Sequence, residues 1–119
     1  MISGIPSAVS AVQAFGNKLD VTANNIANAN SARFKKSRVE FQESAPAGLG
    51  VTAVVEQVDT PGVQILQETP QGPQLVEQSN VDLGEEAVNL ILAERGIELN
   101  AHVIRAHDAA LGSLVNLLV

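Results

Sequence analysis

The sequence predicts a mainly α-helical protein: an N-terminal and a long C-terminal helix pairing as an α-helical coiled coil, with a small β-hairpin and loop segment between them. Apolar residues recur in alternating steps of four and three near both ends, which is the spacing of helices that pack on helices. The middle instead holds a β-branched run bounded by Pro and Gly, which is typical of short strands and turns. Because 119 residues suffice for one domain, we expect a single domain at 1–119, with helices at 1–30 and 82–119 and the connection, hairpin and loop at 31–81.

The N-terminal helix is predicted to run from about Pro6 to Asn30. Pro6 suits the first helical turn, where its missing N–H removes no hydrogen bond. The helix is expected to end softly, because Asn favours caps and turns over helix interiors. Its stripe of apolar or small residues consists of Ile5, Val9, Val12, Gly16, Leu19, Ala23, Ile26 and Asn30.

The middle of the chain is predicted to hold one hairpin. Residues 31–48 form a polar, basic connection, and the β-branched stretch 51–58 is the first strand. The turn residues at 59–62 and the alternation at 63–65 predict a return strand, whereas 69–74, with two Pro and one Gly, is predicted to be a loop. An isolated hairpin is marginally stable in water, so this one needs a surface to pack against.

The C-terminal helix has the clearest start. Asp82 is a favourable N-cap, and Glu85 stands where a capping box places its second residue. From Leu83 the helical pattern continues for about 36 residues, or roughly 54 Å. Its stripe consists of Leu83, Ala87, Leu90, Glu94, Ile97, Ala101, Ile104, Asp108, Leu111, Val115 and Leu118. A second apolar row beside it consists of Val88, Leu92, Leu99, Val103, Ala106, Ala110, Leu114 and Leu117. One partner helix cannot cover both rows, so we expect apolar surface left for other chains.

Charge is distributed unevenly along the chain, whose net charge is −6. Residues 1–40 carry five basic and two acidic side chains, whereas 41–119 carry two basic and eleven acidic ones. The two parts can therefore attract each other, within one chain or between chains. An acidic chain with one short basic cluster is not expected to bind nucleic acid. That cluster, which we predict pairs with acidic residues of a neighbouring subunit, consists of Arg33, Lys35, Lys36 and Arg38 around Phe34.

No arrangement of residues predicts catalysis, a cofactor or a metal, and no small-molecule substrate is expected. Glu94, Glu98 and His102 have a spacing that can hold a metal, but we interpret them as a solvated charged stripe in which Glu98 pairs with His102. Gly48-Leu49-Gly50 lacks the third Gly and the following helix of a phosphate-binding loop. With no Cys and no long apolar run, we expect no disulfide and no membrane span, and the N-terminus lacks the pattern of a cleaved secretion signal.

Two segments resemble the signatures of flagellar basal-body rod and hook proteins. The segment 19–31 contains the family's Asn-Asn-Ile-Ala-Asn core, and the segment 79–105 resembles the family's C-terminal domain. The motif residues are Asn24, Asn25, Ile26, Asn28 and Asn30 in the first segment and Asn80, Val81 and Asp82 in the second. Two independent motifs in the family's order make the resemblance specific.

The resemblance implies a non-enzymatic axial subunit of the bacterial flagellum. Members of this family are exported through the flagellar type III apparatus with an uncleaved N-terminal signal. Their terminal helices pair as coiled coils and line a tube that crosses the periplasm as the drive shaft from motor to hook. The implied partners are copies of the chain itself, other rod proteins and the export apparatus. The short middle segment resembles that of proximal-rod proteins.

Two positions depart from the family pattern. Arg33 stands where many relatives have Gly before a Phe-Lys pair, which allows a different turn there. Gly96 stands where Ala is more usual, and a Gly in an exposed helix costs about 1 kcal/mol.

We therefore predict a structural rod subunit that transmits torque and whose seams bury apolar surface between helices of the same and adjacent copies. The seam residues are Val9, Val12, Leu19, Ile26, Leu90, Ile97, Ile104, Leu111 and Val115. The alternative is a soluble helical adaptor or export-related binding module for other axial proteins. That alternative predicts a compact monomer or dimer with a saturable partner site.

Overall fold

The computed structural model describes residues 4–44 and 50–119, which form two helices and two β-hairpins. Helix α1 spans Gly4–Ala27 and helix α2 spans Leu83–Leu118. The strands between them are β1 (Ser37–Glu43), β2 (Val51–Gln57), β3 (Gln64–Thr69) and β4 (Gly72–Glu77). β1 and β2 pair antiparallel as hairpin A, and β3 and β4 pair antiparallel as hairpin B. The predicted N-terminal helix, long C-terminal helix and small antiparallel segment between them are confirmed.

The predicted strand pairing is wrong. The stretch Val51–Gln57 is a strand, but it pairs with β1, where Val39 lies opposite Val55. Residues 63–65 instead lead into β3, and the predicted loop at 69–74 holds the turn of hairpin B and the start of β4. Of the predicted basic connection, residues 45–48 lie outside the described residues.

Hairpin B closes through a two-residue loop, Pro70 and Gln71, between the paired residues Thr69 and Gly72. Gly72 has a φ of 106°, which favours glycine, and its carbonyl accepts a hydrogen bond from Thr69 Oγ1 at 2.6 Å. Pro73 is tolerated in β4 because a two-stranded sheet has only edge strands. The Pro and Gly residues that predicted a loop therefore mark a tight turn.

Helices α1 and α2 run antiparallel. Gly4 of α1 lies beside the His107 ring of α2, whereas Phe15 lies against Gly96. A Cβ atom at Gly96 would lie 2.5 Å from carbons of the Phe15 ring, so only glycine leaves room for this ring. Gly96 is therefore a buried contact, and the sequence interpretation of an exposed, costly glycine is wrong. The arrangement is compatible with coiled-coil pairing, which stays a prediction.

The buried side chains of the two helices are small or polar. The buried residues are Ala8, Ala14, Thr22 and Asn25 on α1 and Glu86, Ala93 and Gly96 on α2. Small side chains at a helix contact let the two axes approach closely. The buried row on each helix lies about one position away from the apolar stripe that the sequence suggests.

Hairpin A packs along α1. The Ser10 hydroxyl accepts a hydrogen bond from the Val51 N–H at 3.0 Å. The rings of Phe15 and Phe41 meet edge to face, with centroids 4.8 Å apart, and the Lys18 ammonium lies 5.6 Å from the Phe41 centroid. The hairpin thus finds the supporting surface that an isolated hairpin needs.

Helix α2 begins at Asp82, as predicted, because the Asp82 carboxylate accepts hydrogen bonds from the N–H groups of Gly84 and Glu85. The second hydrogen bond of the predicted capping box, from the Asp82 N–H to the Glu85 carboxylate, is not formed, so this part of the prediction is wrong. The Glu85 carboxylate lies 3.1 Å from Lys36 Nζ and so ties the first turn of α2 to the segment before β1.

The molecule measures 80 × 25 × 18 Å, and two of its parts are not packed against other described elements. Residues 108–119 of the C-terminal end are all exposed. Hairpin B packs against no other helix or strand of the described chain. The expectation that apolar surface on the C-terminal helix stays uncovered is confirmed. Its exposed large apolar residues are Leu83, Val88, Ile91, Leu92, Leu99, Val103, Leu111, Leu114, Val115, Leu117 and Leu118.

We predict that Gly96→Ala destabilises the protein by about 1–3 kcal/mol, because the new methyl group forces the Phe15 ring out of its place. The matched control is Gly112→Ala on the same helix, where a Cβ atom meets nothing within 4 Å. That change should stabilise by up to about 1 kcal/mol through helix propensity. Urea unfolding followed by circular dichroism measures both, and equal stability of the two variants would contradict the packing described.

Candidate functional site

The motif residues of the two ends converge where α1 ends and α2 begins. Asn25 is 1% exposed, and its side-chain amide forms hydrogen bonds with the backbone of Ser37, the first residue of β1. Its Nδ2 donates to the Ser37 carbonyl at 2.8 Å, and its Oδ1 accepts from the Ser37 N–H at 3.1 Å. One amide thus satisfies both backbone groups of Ser37, and it fixes the strand to the helix.

Asn80 forms hydrogen bonds with the residues that precede Ser37. Its Oδ1 accepts from the Lys36 N–H at 2.7 Å, and its Nδ2 donates to the carbonyls of Val58 at 2.7 Å and Thr60 at 3.1 Å. Its own N–H donates to the Phe34 carbonyl at 3.3 Å. Asn80 therefore joins three separate stretches of chain immediately before α2.

We call Asn25, Asn80 and the extended segment 34–37 between them the amide clamp. A carboxamide is suited to this position because it donates and accepts at once, as two adjacent backbone groups require. The partner of Asn25 is the first residue of a strand, so this side chain connects a helix to a strand.

The remaining motif residues have local or exposed positions. Asn28 donates to the Asn24 carbonyl at 2.9 Å and accepts from the Ser31 hydroxyl at 3.1 Å, which closes the end of α1. Asn30 and Ile26 are exposed, and Val81 is half-buried next to the N-cap Asp82. Of the asparagines in the first motif, Asn25 is the one that is buried.

Three of the four basic residues in the cluster pair with acidic residues of the same chain. Lys35 pairs with Glu77, and Lys36 pairs with Glu85. Arg38 pairs with Glu40 at 2.9 Å, and it also approaches a carboxylate of β2, Glu56, at 3.7 Å. These three residues thus have acidic partners in their own chain, and pairing of the cluster with a neighbouring subunit stays a prediction. The attraction between the basic and acidic parts acts inside one molecule.

Arg33 adopts the backbone conformation that glycine favours. Its φ is 61°, in the left-handed region, and its N–H donates to the Glu77 carbonyl at 3.0 Å. The turn that follows α1 therefore has a glycine-type geometry although the residue is Arg. A non-glycine residue in this region carries backbone strain of about 1 kcal/mol or more.

Glu77 joins hairpin B to the clamp. Its carboxylate accepts from the Lys35 ammonium and from the Gly62 N–H, the latter at 2.9 Å. The Lys35 ammonium first, and then the Gly62 N–H, hold the pKa of Glu77 below its ordinary value of 4.5. Close packing at Gly62 supports the same junction, since a Cβ atom there would lie 1.9 Å from the Gln78 carbonyl oxygen.

A polar cavity of about 200 Å³ lies beside the clamp, between α1, β1 and the first turn of α2. The charged and hydroxyl side chains among its lining residues are those of Lys18, Thr22, Lys36, Ser37, Arg38, Glu40, Glu85 and Glu86. Glu86 is 2% exposed, and its Oε2 atom has no hydrogen-bond donor among the described residues. A polar cavity of this size can hold several water molecules, which can donate to such an oxygen.

The described residues hold no group of three or more acidic or His side chains placed to share a metal ion. In the predicted charged stripe of Glu94, Glu98 and His102, the Glu98 carboxylate accepts a hydrogen bond from Arg95 at 2.9 Å. The predicted pairing of Glu98 with His102 is therefore wrong. Residues 48 and 49 of the Gly-Leu-Gly sequence lie outside the described residues. In the described part of the chain, no helix is both long and apolar enough to span a membrane.

The predicted seam residues lie at different depths. On α1, Val12 and Leu19 are half-buried, whereas Val9 and Ile26 are exposed. On α2, the half-buried residues are Leu90, Ile97 and Ile104, and the exposed ones are Leu111 and Val115. The half-buried residues flank the contact between the two helices. Packing of the exposed ones against other copies stays a prediction.

Both terminal parts of the chain match family models. Residues 5–35 match the family described as flagella basal body rod protein, which here covers α1 and the turn after it. Residues 73–117 match the C-terminal family of flagellar basal body rod FlgEFG proteins, which here covers β4 and α2. Both amides of the clamp lie inside these matched parts.

Individual relatives match over shorter stretches. The chain is 50% identical over 42 residues to the flagellar hook protein FlgE of Escherichia coli (strain K12), which is 35% of this chain and 10% of that protein. It is 49% identical over 43 residues to the flagellar basal-body rod protein FlgG of Bacillus subtilis (strain 168), which is 36% of this chain and 16% of the relative. With FlgG of Borreliella burgdorferi the identity is 34% over 77 residues, 65% of this chain and 26% of the relative. The chain thus spans from a tenth to about a quarter of the length of these curated relatives.

We predict that Asn25→Ala destabilises the protein by about 2–4 kcal/mol, because it leaves the partly buried N–H and carbonyl of Ser37 without partners. The matched control is Asn24→Ala, one residue earlier and exposed, which should cost less than about 1 kcal/mol. Urea unfolding measures both variants. A similar loss in both would show that the clamp contributes little.

We also predict that acid weakens the junction of hairpin B. Since folding lowers the pKa of Glu77, its contribution to stability is present above pH 4.5 and is lost as the pH falls through the lowered value. Glu77→Gln should therefore lose less stability than the unmodified chain between about pH 6 and pH 3. Urea unfolding at the two pH values measures this. Glu68→Gln is the control, because it removes a carboxylate from the same hairpin that makes no ion pair among the described residues.

Proposed function

The chain belongs to the flagellar basal-body rod protein family, and on this basis we propose that it is a structural subunit of the bacterial flagellar rod. Its terminal helices assemble with copies of itself and with other rod proteins into the tubular shaft that transmits torque. It reaches the periplasmic rod through the type III export apparatus without loss of a signal peptide, and it performs no catalysis.

The observation that carries this proposal is the exposed apolar surface of α2, on the part of the chain that matches the family. Eleven large apolar residues of this helix are exposed, which is far more than the scattered apolar residues of an ordinary monomer surface. Burying a few hundred Å² of such surface at each contact stabilises by several kcal/mol, at about 25 cal/mol per Å². Repeated around a tube, these contacts resist twisting.

The amide clamp supports the same role. A subunit that carries torque must hold its two helices in one fixed arrangement. The hydrogen bonds of Asn25 and Asn80 join the end of α1, the start of β1 and the start of α2. The ion pair of Lys36 with Glu85 joins two of these segments again. We infer that the clamp transmits force between the helices in the assembled rod.

Mass spectrometry of purified hook–basal bodies from the organism that encodes the chain tests the proposal. We expect peptides of this chain at several copies per particle. If the other rod proteins are present and this chain is not, the proposal fails and the adaptor alternative is favoured.

We predict that Leu111→Asp abolishes incorporation into basal bodies and leaves the folded monomer intact. Leu111 is exposed on the part of α2 that extends past the contact of Gly4 with His107, so a carboxylate there is costly only when another chain covers the site. Asn116→Asp adds the same charge to the same exposed segment at a polar position, and it should assemble normally. Thermal unfolding of both variants confirms the fold. Normal incorporation of Leu111→Asp would refute this contact.

A further inference from the structure

Hairpin B carries apolar side chains that nothing in the described chain covers. Leu66 and Leu75 are paired across the strands, and each is 68% exposed. Ile65 and Val76 are the next pair and lie on the opposite face, because successive residues of a strand alternate. The hairpin packs against no other described helix or strand, and a two-stranded sheet alone is marginal in water. The face of hairpin B that carries Leu66 and Leu75 therefore needs a partner.

The end of α2 also has apolar side chains that no described residue covers. We call residues 108–118 the α2 tail; it extends past His107, which is beside the first described residue of α1. Its large apolar residues are Leu111, Leu114, Val115, Leu117 and Leu118, all exposed. At 3.6 residues per turn these side chains fall within roughly 160° of the helix circumference, which makes one broad apolar face. Such a face is normally packed against a partner.

The two uncovered surfaces lie at opposite ends of the molecule. Hairpin B joins the chain just before α2, and α2 extends roughly 54 Å from that junction. A six-residue strand adds roughly 20 Å. Together the two lengths account for most of the 80 Å long axis, so hairpin B extends away from the α2 tail.

We propose that hairpin B of one copy packs against the α2 tail of the next copy. This inference rests on the proposed function, since it names the contact between successive copies in the assembly. Both surfaces carry few charges. The tail has one charged residue, Asp108, and the strands of hairpin B have two, Glu68 and the paired Glu77. They also agree in length, roughly 16 Å of helix against roughly 20 Å of strand.

The contact joins two different surfaces, so a chain of copies that does not close on itself leaves one of each free at its ends. Such heterologous contacts generate open filaments, or rings where the rotation between copies closes, instead of dimers. A self-complementary contact, hairpin to hairpin or tail to tail, would stop at two copies.

Two double variants of the full chain test this contact. The hairpin variant carries Leu66→Gln and Leu75→Gln, and the tail variant carries Leu114→Gln and Leu117→Gln. All four leucines are exposed, so the variants should keep the circular dichroism spectrum and thermal midpoint of the unmodified chain. Control variants Gln67→Ser and Asn116→Ser change exposed polar residues of the same two surfaces.

Sedimentation velocity across a range of concentrations is the measurement. We expect the unmodified chain and both controls to form a series of growing oligomers. Each double variant alone should stay monomeric, with association at least about tenfold weaker, since a loss of 1.4 kcal/mol corresponds to tenfold. An equimolar mixture of the two double variants should form a 1:1 heterodimer and no larger species, because it contains one intact pair of surfaces.

Other outcomes overturn the inference. A tail variant that dimerises alone shows that hairpins pair with hairpins, and a hairpin variant that dimerises alone shows that tails pair with tails. A mixture without heterodimer, or an unmodified chain that stays monomeric, shows that the two surfaces do not bind each other. In all these cases, the presence of the chain in hook–basal bodies would still support the proposed function, so the two failures are distinguishable.

Discussion

The rest of the structure depends on one constraint, the hydrogen bonds from two asparagine amides to the backbone of the extended segment 34–37. Asn25 fixes where β1 starts, so hairpin A lies along α1 with Phe41 against Phe15. Asn80 fixes where the chain enters α2, and the antiparallel packing of the helices follows from that entry. Because these backbone groups are wholly or partly shielded from water, each lost hydrogen bond costs more than it would on an open surface.

Local patterns in the sequence were enough to predict the helices. The Asp82 cap and the long apolar periodicity act over a few residues, so the start and length of α2 were visible in the sequence. Strand pairing depends on distant residues, and this is where prediction was wrong. The alternation at 63–65 suits a return strand for β2 as well as the start of β3, and nothing local distinguishes the two.

In the candidate site, too, the sequence indicated the local features but not the contacts between distant residues. The asparagines were recognisable as unusual, but the partner of Asn25 lies 12 residues away and that of Asn80 lies 44 residues away. Gly96 looked like a defect in a helix, because its purpose depends on the ring of Phe15 on the other helix. The basic cluster looked available to another molecule, although its acidic partners are in the same chain. A residue type thus signals that a position is special, and only the fold shows what it contacts.

Among the described residues, hairpin B is attached to the rest of the molecule at its base, through Glu77 and the residues around Gly62. Its turn at Pro70 and Gln71 therefore offers a place where the chain can be lengthened without moving either helix, since an insertion there needs only two neighbouring ends. A reporter domain or an affinity tag can be placed at this turn for imaging or purification. The same geometry allows one pair of terminal helices to carry middle segments of very different sizes.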